Sequence, residues 1–239
     1  MDLDQQKNSY LLTDLVEENL LITKVVPYTQ GCAPFKNFWV LPQFFSEAEI
    51  LPFESCIQKI RLQPFLSYPA PNVGLFTLEE NTYKYISHAS GRYDVWQIGE
   101  PRQMKVPTQI QSFGVTCQSV GALLLGANTA THGKWHKDAV DLFKNGPSNE
   151  ELPPFYFNVL IALHEQKEEN GPTQFYWNNA PGPSLGSGPG YAFWVPLKRG
   201  DAILFDGNVK HRGTANRTGQ HRDLLYATYS PNWYNEEKL

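Results

Sequence analysis

Apolar positions recur at two different spacings along this chain. Between Ser46 and Ile60, the residues Ile50, Leu51, Phe53, Ile57 and Ile60 fall on one stripe of a helix. Ser46 with Glu49 three residues later is the signature of a capping box, and Pro52 is tolerated near the first turn. Residues 1–25 mix acidic and apolar positions around Tyr10-Leu11-Leu12 and Leu20-Leu21-Ile22, which predicts a short helix followed by an entering strand.

Beyond residue 64 the spacing shortens. Pro and Gly divide brief apolar stretches such as Tyr83-Lys84-Tyr85-Ile86, Tyr93-Asp94-Val95-Trp96 and Phe113–Cys117, the last running on to Ala122–Leu125. The longest apolar run, Phe155–Leu163, is bounded by Pro154 and by charged residues from Glu165, and predicts a buried strand. Tyr191–Val195, Asp201–Asp206 and Asp223–Tyr229 are further strands, while 141–154 and the Gly/Pro-dense stretch 180–190 are loops. A helical start followed by at least seven strands with no helix between them points to a mainly β protein of sandwich or jelly-roll type. With no internal repeat and no linker, residues 1–239 read as one domain, 1–65 forming a helical N-terminal extension.

Composition narrows the function classes. The chain has 239 residues, 18 Gly and 18 Pro, and a formal net charge of −4, which leaves no footprint for a general nucleic-acid binder. Cys32, Cys56 and Cys117 are too sparse for a disulfide framework and match no Cys-x-x-Cys pair, so reduced thiols are expected. The first residues lack a signal-peptide pattern, and no run is long enough to span a bilayer. The expectation is a soluble cytoplasmic protein with no membrane partner, either a monomer or a homodimer.

The candidate chemistry begins at Trp135-His136-Lys137-Asp138. On an extended strand His136 and Asp138 leave the same face, offering a nitrogen and an oxygen to one ion. His211, which follows the apolar run Ala202–Phe205 and precedes Arg212-Gly213, is the candidate third ligand. Two imidazoles and one carboxylate suit non-heme Fe(II) and leave three positions open. Arg222, eleven residues after His211, opens the last strand; its planar fork suits the far carboxylate of a 2-oxo acid, in preference to Arg217 in a turn. Thr173, Gln174 and Gln118 are candidate polar partners of that acid. His132, His88, His164 and His221 read as loop, surface or structural residues. Trp135 and the aromatics Phe175, Tyr176, Trp177, Phe193 and Trp194 are either core or pocket wall. Lys134, Lys137, Lys210 and Arg212 make the surroundings basic, which permits an anionic substrate.

The ordered set of His136-x-Asp138, Asn170-Gly171-Pro172-Thr173, Gly200–Asp206 running into His211-Arg212-Gly213, then Asn216 and Arg222, resembles the phytanoyl-CoA dioxygenase-like branch of the Fe(II)/2-oxoglutarate oxygenases over roughly residues 110–232. The resemblance implies a double-stranded β-helix (jelly-roll, cupin-like) core, with His136, Asp138 and His211 as iron ligands and Arg222 as the 2-oxoglutarate anchor. It further implies O2 as oxidant, ascorbate as reductant in vitro, and hydroxylation of a small molecule with release of succinate and CO2. Retention of Asp138 separates the chain from related halogenases. The family's Pro-Gly-Ser-His after the turn is replaced by Tyr176-Trp177-Asn178-Asn179, so substrate contacts do not transfer. Competing readings are a Zn(II) hydrolase using the same ligands, a non-catalytic cupin-like metal-binding module, and a protein or peptide hydroxylase of the same superfamily.

Overall fold

A computed structural model describes residues 8–15, 23–28, 37–67, 72–89, 91–143, 147–178 and 190–234. In chain order the elements are β1 Asn8–Leu15, β2 Thr23–Tyr28, β3 Phe38–Leu41, α1 Glu47–Arg61, β4 Asn72–Leu78, β5 Asn81–Ala89, β6 Arg92–Trp96 and β7 Val115–Leu125. They continue with β8 Phe157–Ala162, β9 Thr173–Asn178, β10 Gly190–Trp194, β11 Ala202–Asp206, β12 His211–Gly213 and β13 Arg222–Pro231. Two antiparallel sheets result. The larger runs β3-β11-β8-β13-β7-β6-β5-β4, and the smaller runs β12-β9-β10-β1-β2.

The central strands of the large sheet are covered on both faces, which is why they read as unbroken apolar runs instead of alternating. Every residue of β8, β11 and β13 is buried. One face carries Val159, Ile161, Leu204, Leu225 and Ala227, against which α1 sets Ile50, Ile57 and Ile60. The opposite face turns Leu160, Phe205, Leu224 and Tyr226 toward Phe175 and Phe193 of the small sheet. Phe175 meets Phe38 and Phe205 edge to face, with centroids 5.0 and 5.1 Å apart, an arrangement the ring quadrupoles favour.

The predicted capping box is present. Ser46 Oγ accepts from Glu49 N at 3.4 Å, and Glu49 Oε2 accepts from Ser46 N at 2.7 Å. The short helix expected within residues 1–25 is replaced by strands. Β-branched positions Thr13, Val25 and Val26 lie in β1 and β2, and β1 pairs along β10, whose edge it satisfies. The single α-helix among the described residues is therefore α1. Between α1 and β7, the strands β4, β5 and β6 widen the large sheet, lengthening the wall available to a cavity. Cys56 and Cys117 are free thiols, and burial pushes Cys117 up to about 12. Cys32 and most of the loop predicted at 180–190 lie outside the described residues. No described helix is long and apolar enough to cross a membrane.

Candidate metal centre

His136 and His211 face each other across an antiparallel bridge, although 75 residues separate them in sequence. Each backbone N–H donates to the other's carbonyl, at 3.0 and 2.9 Å. Residues directly opposed in this way project their side chains to the same face, and the two rings lie 4.4 Å apart between centroids. His136 belongs to this isolated bridge and not to a longer strand; Asp138 is held next to it because its N–H donates to Gly207 O at 2.9 Å.

The ring orientations are fixed from behind. His136 Nδ1 lies 2.9 Å from Lys134 O, and His211 Nδ1 lies 3.0 Å from Val209 O. A carbonyl accepts only from N–H, so each Nδ1 carries the proton and each Nε2 keeps a lone pair for an ion. Both Nε2 atoms lie 3.5 Å from an oxygen of Asp138, one on Oδ1 and the other on Oδ2. Donors about 2.1 Å from a metal at right angles stand about 3 Å apart, so the three groups need only a small adjustment to share one ion. Burial, opposed by Asp138 and assisted by His136, lowers the pKa of His211 and favours the neutral ligand form. Asn158 Nδ2 donates to Asp138 Oδ2 at 2.9 Å, steadying the carboxylate from the buried strand β8.

The centre opens on a cavity of about 830 Å³, within the range of small-ligand sites. Its wall is one face of the large sheet, read in rows across β6, β7 and β13: Arg92, Leu125 and Arg222; Asp94, Leu123 and Leu224; Trp96, Gly121 and Tyr226. In the last row a Cβ on Gly121 would stand 2.3 Å from the Tyr226 ring, so the glycine lets that ring lie across the sheet, where Tyr226 Oη donates to Asp94 at 2.9 Å.

Arg222 is fully buried in this wall. It donates through Nη2 to Gly171 O, and its Nε has no partner. Gly171 is required there: its φ is +81°, and a Cβ would stand 2.7 Å from Leu125 and 2.9 Å from Thr214 O. Burial and then Arg92 lower the Arg222 pKa, while Asp223 raises it. Among the described residues no carboxylate pairs with this cation. Arg217 is exposed and outside the cavity.

The other expected partners separate by strand parity. Thr173 lines the cavity. Gln174, one residue on, faces away, and its Oε1 accepts from Arg212 Nε and Nη2 at 3.0 and 2.9 Å. Gln118 is also misplaced as a co-substrate partner. It is exposed, outside the cavity, at the register shift where β7 has one residue more than β13, donating to Thr116 Oγ1 at 2.9 Å and to Ser230 O at 3.2 Å. The Arg212 guanidinium lies over the Trp135 ring, with its Cζ 4.5 Å from the ring centroid. His132 and His88 line the cavity. His164 and His221, read from the sequence as surface or structural residues, approach Asp223, and His221-x-Asp223 is itself a second His-x-Asp. There, however, Arg61 already holds the carboxylate through Nη2 and through Nε at 2.9 Å, so the charge an ion would neutralise is already met. Asn158, Arg92, Asp94 and Tyr226 were missed; alternation in Arg92-Tyr93-Asp94-Val95-Trp96 and one amide inside an apolar run were their only signals.

Comparison with known proteins gives the same region. The phytanoyl-CoA dioxygenase (PhyH) family model matches residues 125–224. "Dioxygenase easH" of Epichloe festucae var. lolii is 33% identical over 88 residues, 35% of this chain and 46% of that protein, so the chain spans about half the length of that relative. Among solved structures, HygX of Streptomyces hygroscopicus, determined with nickel and 2-oxoglutarate bound, superposes with a TM-score of 0.55 at 14% identity, covering 84% of this chain and 85% of that one. SnoN, a non-heme alpha ketoglutarate dependent epimerase from nogalamycin biosynthesis, gives a TM-score of 0.52 at 17% identity over 82% of this chain and 76% of that one. In sequence across residues 125–224 this chain is similar to the phytanoyl-CoA dioxygenase family, and its mainly β, jelly-roll fold is similar to that of the two solved structures.

Proposed function

We propose that this protein is an Fe(II)- and 2-oxoglutarate-dependent dioxygenase that hydroxylates a small molecule, with His136, Asp138 and His211 holding the metal and Arg222 the co-substrate. The observation that carries the reading is the convergence of three donor atoms, both imidazoles proton-locked at Nδ1, on a cavity whose wall contains a buried guanidinium with an unpartnered Nε. Those residues fit the groups they would hold: a neutral His pair and a carboxylate suit Fe(II), and Arg222 suits the distal carboxylate of a dicarboxylic 2-oxo acid.

Bound iron with 2-oxoglutarate supplies an oxidant made from O2 as the acid is decarboxylated to succinate and CO2. The chain supplies placement. Asn158 keeps Asp138 turned toward the two Nε2 atoms, Arg222 fixes one end of the acid, and Leu123, Leu125 and Leu160 present dry surface around it. Hydroxylation is favoured over halogenation because Asp138 retains the third protein ligand, while the volume of the cavity favours a small molecule over a folded protein.

Succinate formation tests the reading. Anaerobically purified protein given Fe(II), ascorbate, 2-oxoglutarate and air is expected to form succinate, slowly alone and faster with an accepted substrate, and Asp138→Ala is expected to lose it while remaining folded. Full turnover in that variant, or tightly held zinc with no 2-oxoglutarate binding in the wild type, would overturn the assignment.

A further inference from the structure

We propose that Arg92 is a second anchor for the distal carboxylate of the 2-oxo acid, which sits between the Arg92 and Arg222 guanidinium groups. This rests on the co-substrate reading above and adds a residue outside the motif set that suggested it.

The sheet register brings the two arginines together. Leu125 of β7 pairs with Arg92 of β6 on one side and with Arg222 of β13 on the other. Directly opposed residues share a face, so both side chains enter the same cavity from backbone positions about 10 Å apart. A short leucine lies between two long cationic side chains.

Arg92 is fixed in place. Its Nη2 donates to Thr214 O at 2.9 Å and to Thr131 O at 3.3 Å. Its Nη1 occupies the space where a Cβ on Gly213 would stand, only 1.9 Å away, so the missing side chain at 213 admits the guanidinium. The Nε of Arg92 is buried with no partner, as is that of Arg222. Two buried donors therefore remain unsatisfied on neighbouring cations.

The charges nearby do not answer them. Asp223 follows Arg222 but faces the other side of the sheet, where Arg61 holds it. Asp94, two residues after Arg92, accepts from Trp96 Nε1 and Tyr226 Oη, both at 2.9 Å. Burial lowers the pKa of Arg92, and Arg92 contributes to lowering that of Arg222. A carboxylate has two oxygens and about four acceptor sites, enough for both free Nε–H groups, and its charge offsets the mutual repulsion. The alternative is that Arg92 only clamps the Thr131 loop to β12 through its two carbonyl contacts.

A cycle between residue and ligand group separates the two roles. Calorimetry on Mn(II)-loaded protein compares 2-oxoglutarate with 2-oxopentanoate, which has the same chain length without the distal carboxylate. Arg92→Gln is expected to weaken 2-oxoglutarate about tenfold or more, the loss of one charge-assisted contact, and to leave 2-oxopentanoate within about twofold of wild type. Equal weakening of both ligands, or of neither, overturns the proposal in favour of a clamp. If Arg92→Gln does not fold, Arg92→Lys decides by the same comparison, because lysine keeps the charge and loses the fork. Failure of the underlying reading is distinct: wild-type protein would bind neither ligand, or Arg222→Gln would leave 2-oxoglutarate affinity unchanged.

Discussion

Replacement of Asn158 by leucine isolates the contribution of a residue that would never touch the metal. Asn158 is 4% exposed in β8, and its Nδ2 donates to Asp138 Oδ2 at 2.9 Å. Leucine keeps the branching and heavy-atom count of asparagine with two bulkier methyl groups in place of the amide, while the donor to the ligand carboxylate disappears. A hydrogen bond to a charged group is worth about 1.5–3 kcal/mol, and that energy acts on Asp138 as a ligand only if the bond selects its metal-binding orientation. Converted to a binding constant, the range predicts Fe(II) affinity lowered by about 10- to 100-fold, as expected for a partner of a metal ligand. Competition against a calibrated chelator under anaerobic conditions measures it, with Co(II) as an air-stable check. The metal-free variant should unfold within about 1 kcal/mol of wild type, because the transfer gain from burying leucine offsets the lost hydrogen bond. Unchanged metal affinity would refute the reasoning, and so would an affinity loss matched by an equal loss of metal-free stability.

Two further outcomes follow from the placement of charged and titratable groups. Arg222→Ala should raise the 2-oxoglutarate KM by about tenfold or more, whereas Arg217→Ala at the exposed turn should leave it within about twofold; steady-state succinate assays decide, and the reverse pattern would transfer the anchor to Arg217. Burial lowers the His164 pKa, so between its folded value and the ordinary 6.5 the unfolded chain binds more protons than the native one. Its stabilising contribution is complete above about pH 6.5 and is lost as pH falls toward the lower folded value, so unfolding titrations at about pH 7.5 and about pH 5.5 should show a slope that His164→Gln flattens. An unaltered slope in the variant would remove His164 from the acid response.

The metal centre was legible because its determinants are local. His136-x-Asp138 is a two-residue spacing, and His211 follows an apolar strand whose burial any reader of the pattern expects. The place of Arg222 in the cavity wall was legible for the same reason, as the polar opening of a strand. What pairs across the sheet was not. Arg92 shares a row with Arg222 only through Leu125, a register that no spacing in the sequence encodes. Gln118 and Gln174 show the limit from the other side: both lie on strands of the sheets that frame the site, yet parity turns Gln174 to Arg212 and an irregularity in β7 leaves Gln118 outside the cavity. His221-x-Asp223 has the same local pattern as the proposed ligands, and only its long-range contact with Arg61 distinguishes it. At the N-terminus, the demand of the β10 edge for a pairing partner made strands of residues that sequence pattern alone assigned partly to a helix.

The last long strand, β13, is buried along both of its faces, with Arg222, Tyr226 and Thr228 turned to the cavity, Leu224 on the same face among the apolar residues between the sheets, and Asp223, Leu225, Ala227 and Tyr229 on the opposite side. Two messages are thus interleaved in one ten-residue segment, and they share a reading frame. Loss of a single residue just ahead of Arg222 that slipped the strand by one position would exchange the faces, carrying Asp223 into the place of the guanidinium and Arg222 toward Arg61. Such a slip would bring two cations together on one side of the sheet and, on the other, put a carboxylate where the carboxylate of the proposed co-substrate would lie, so the ends of this strand tolerate length changes far less readily than its apolar middle tolerates substitution.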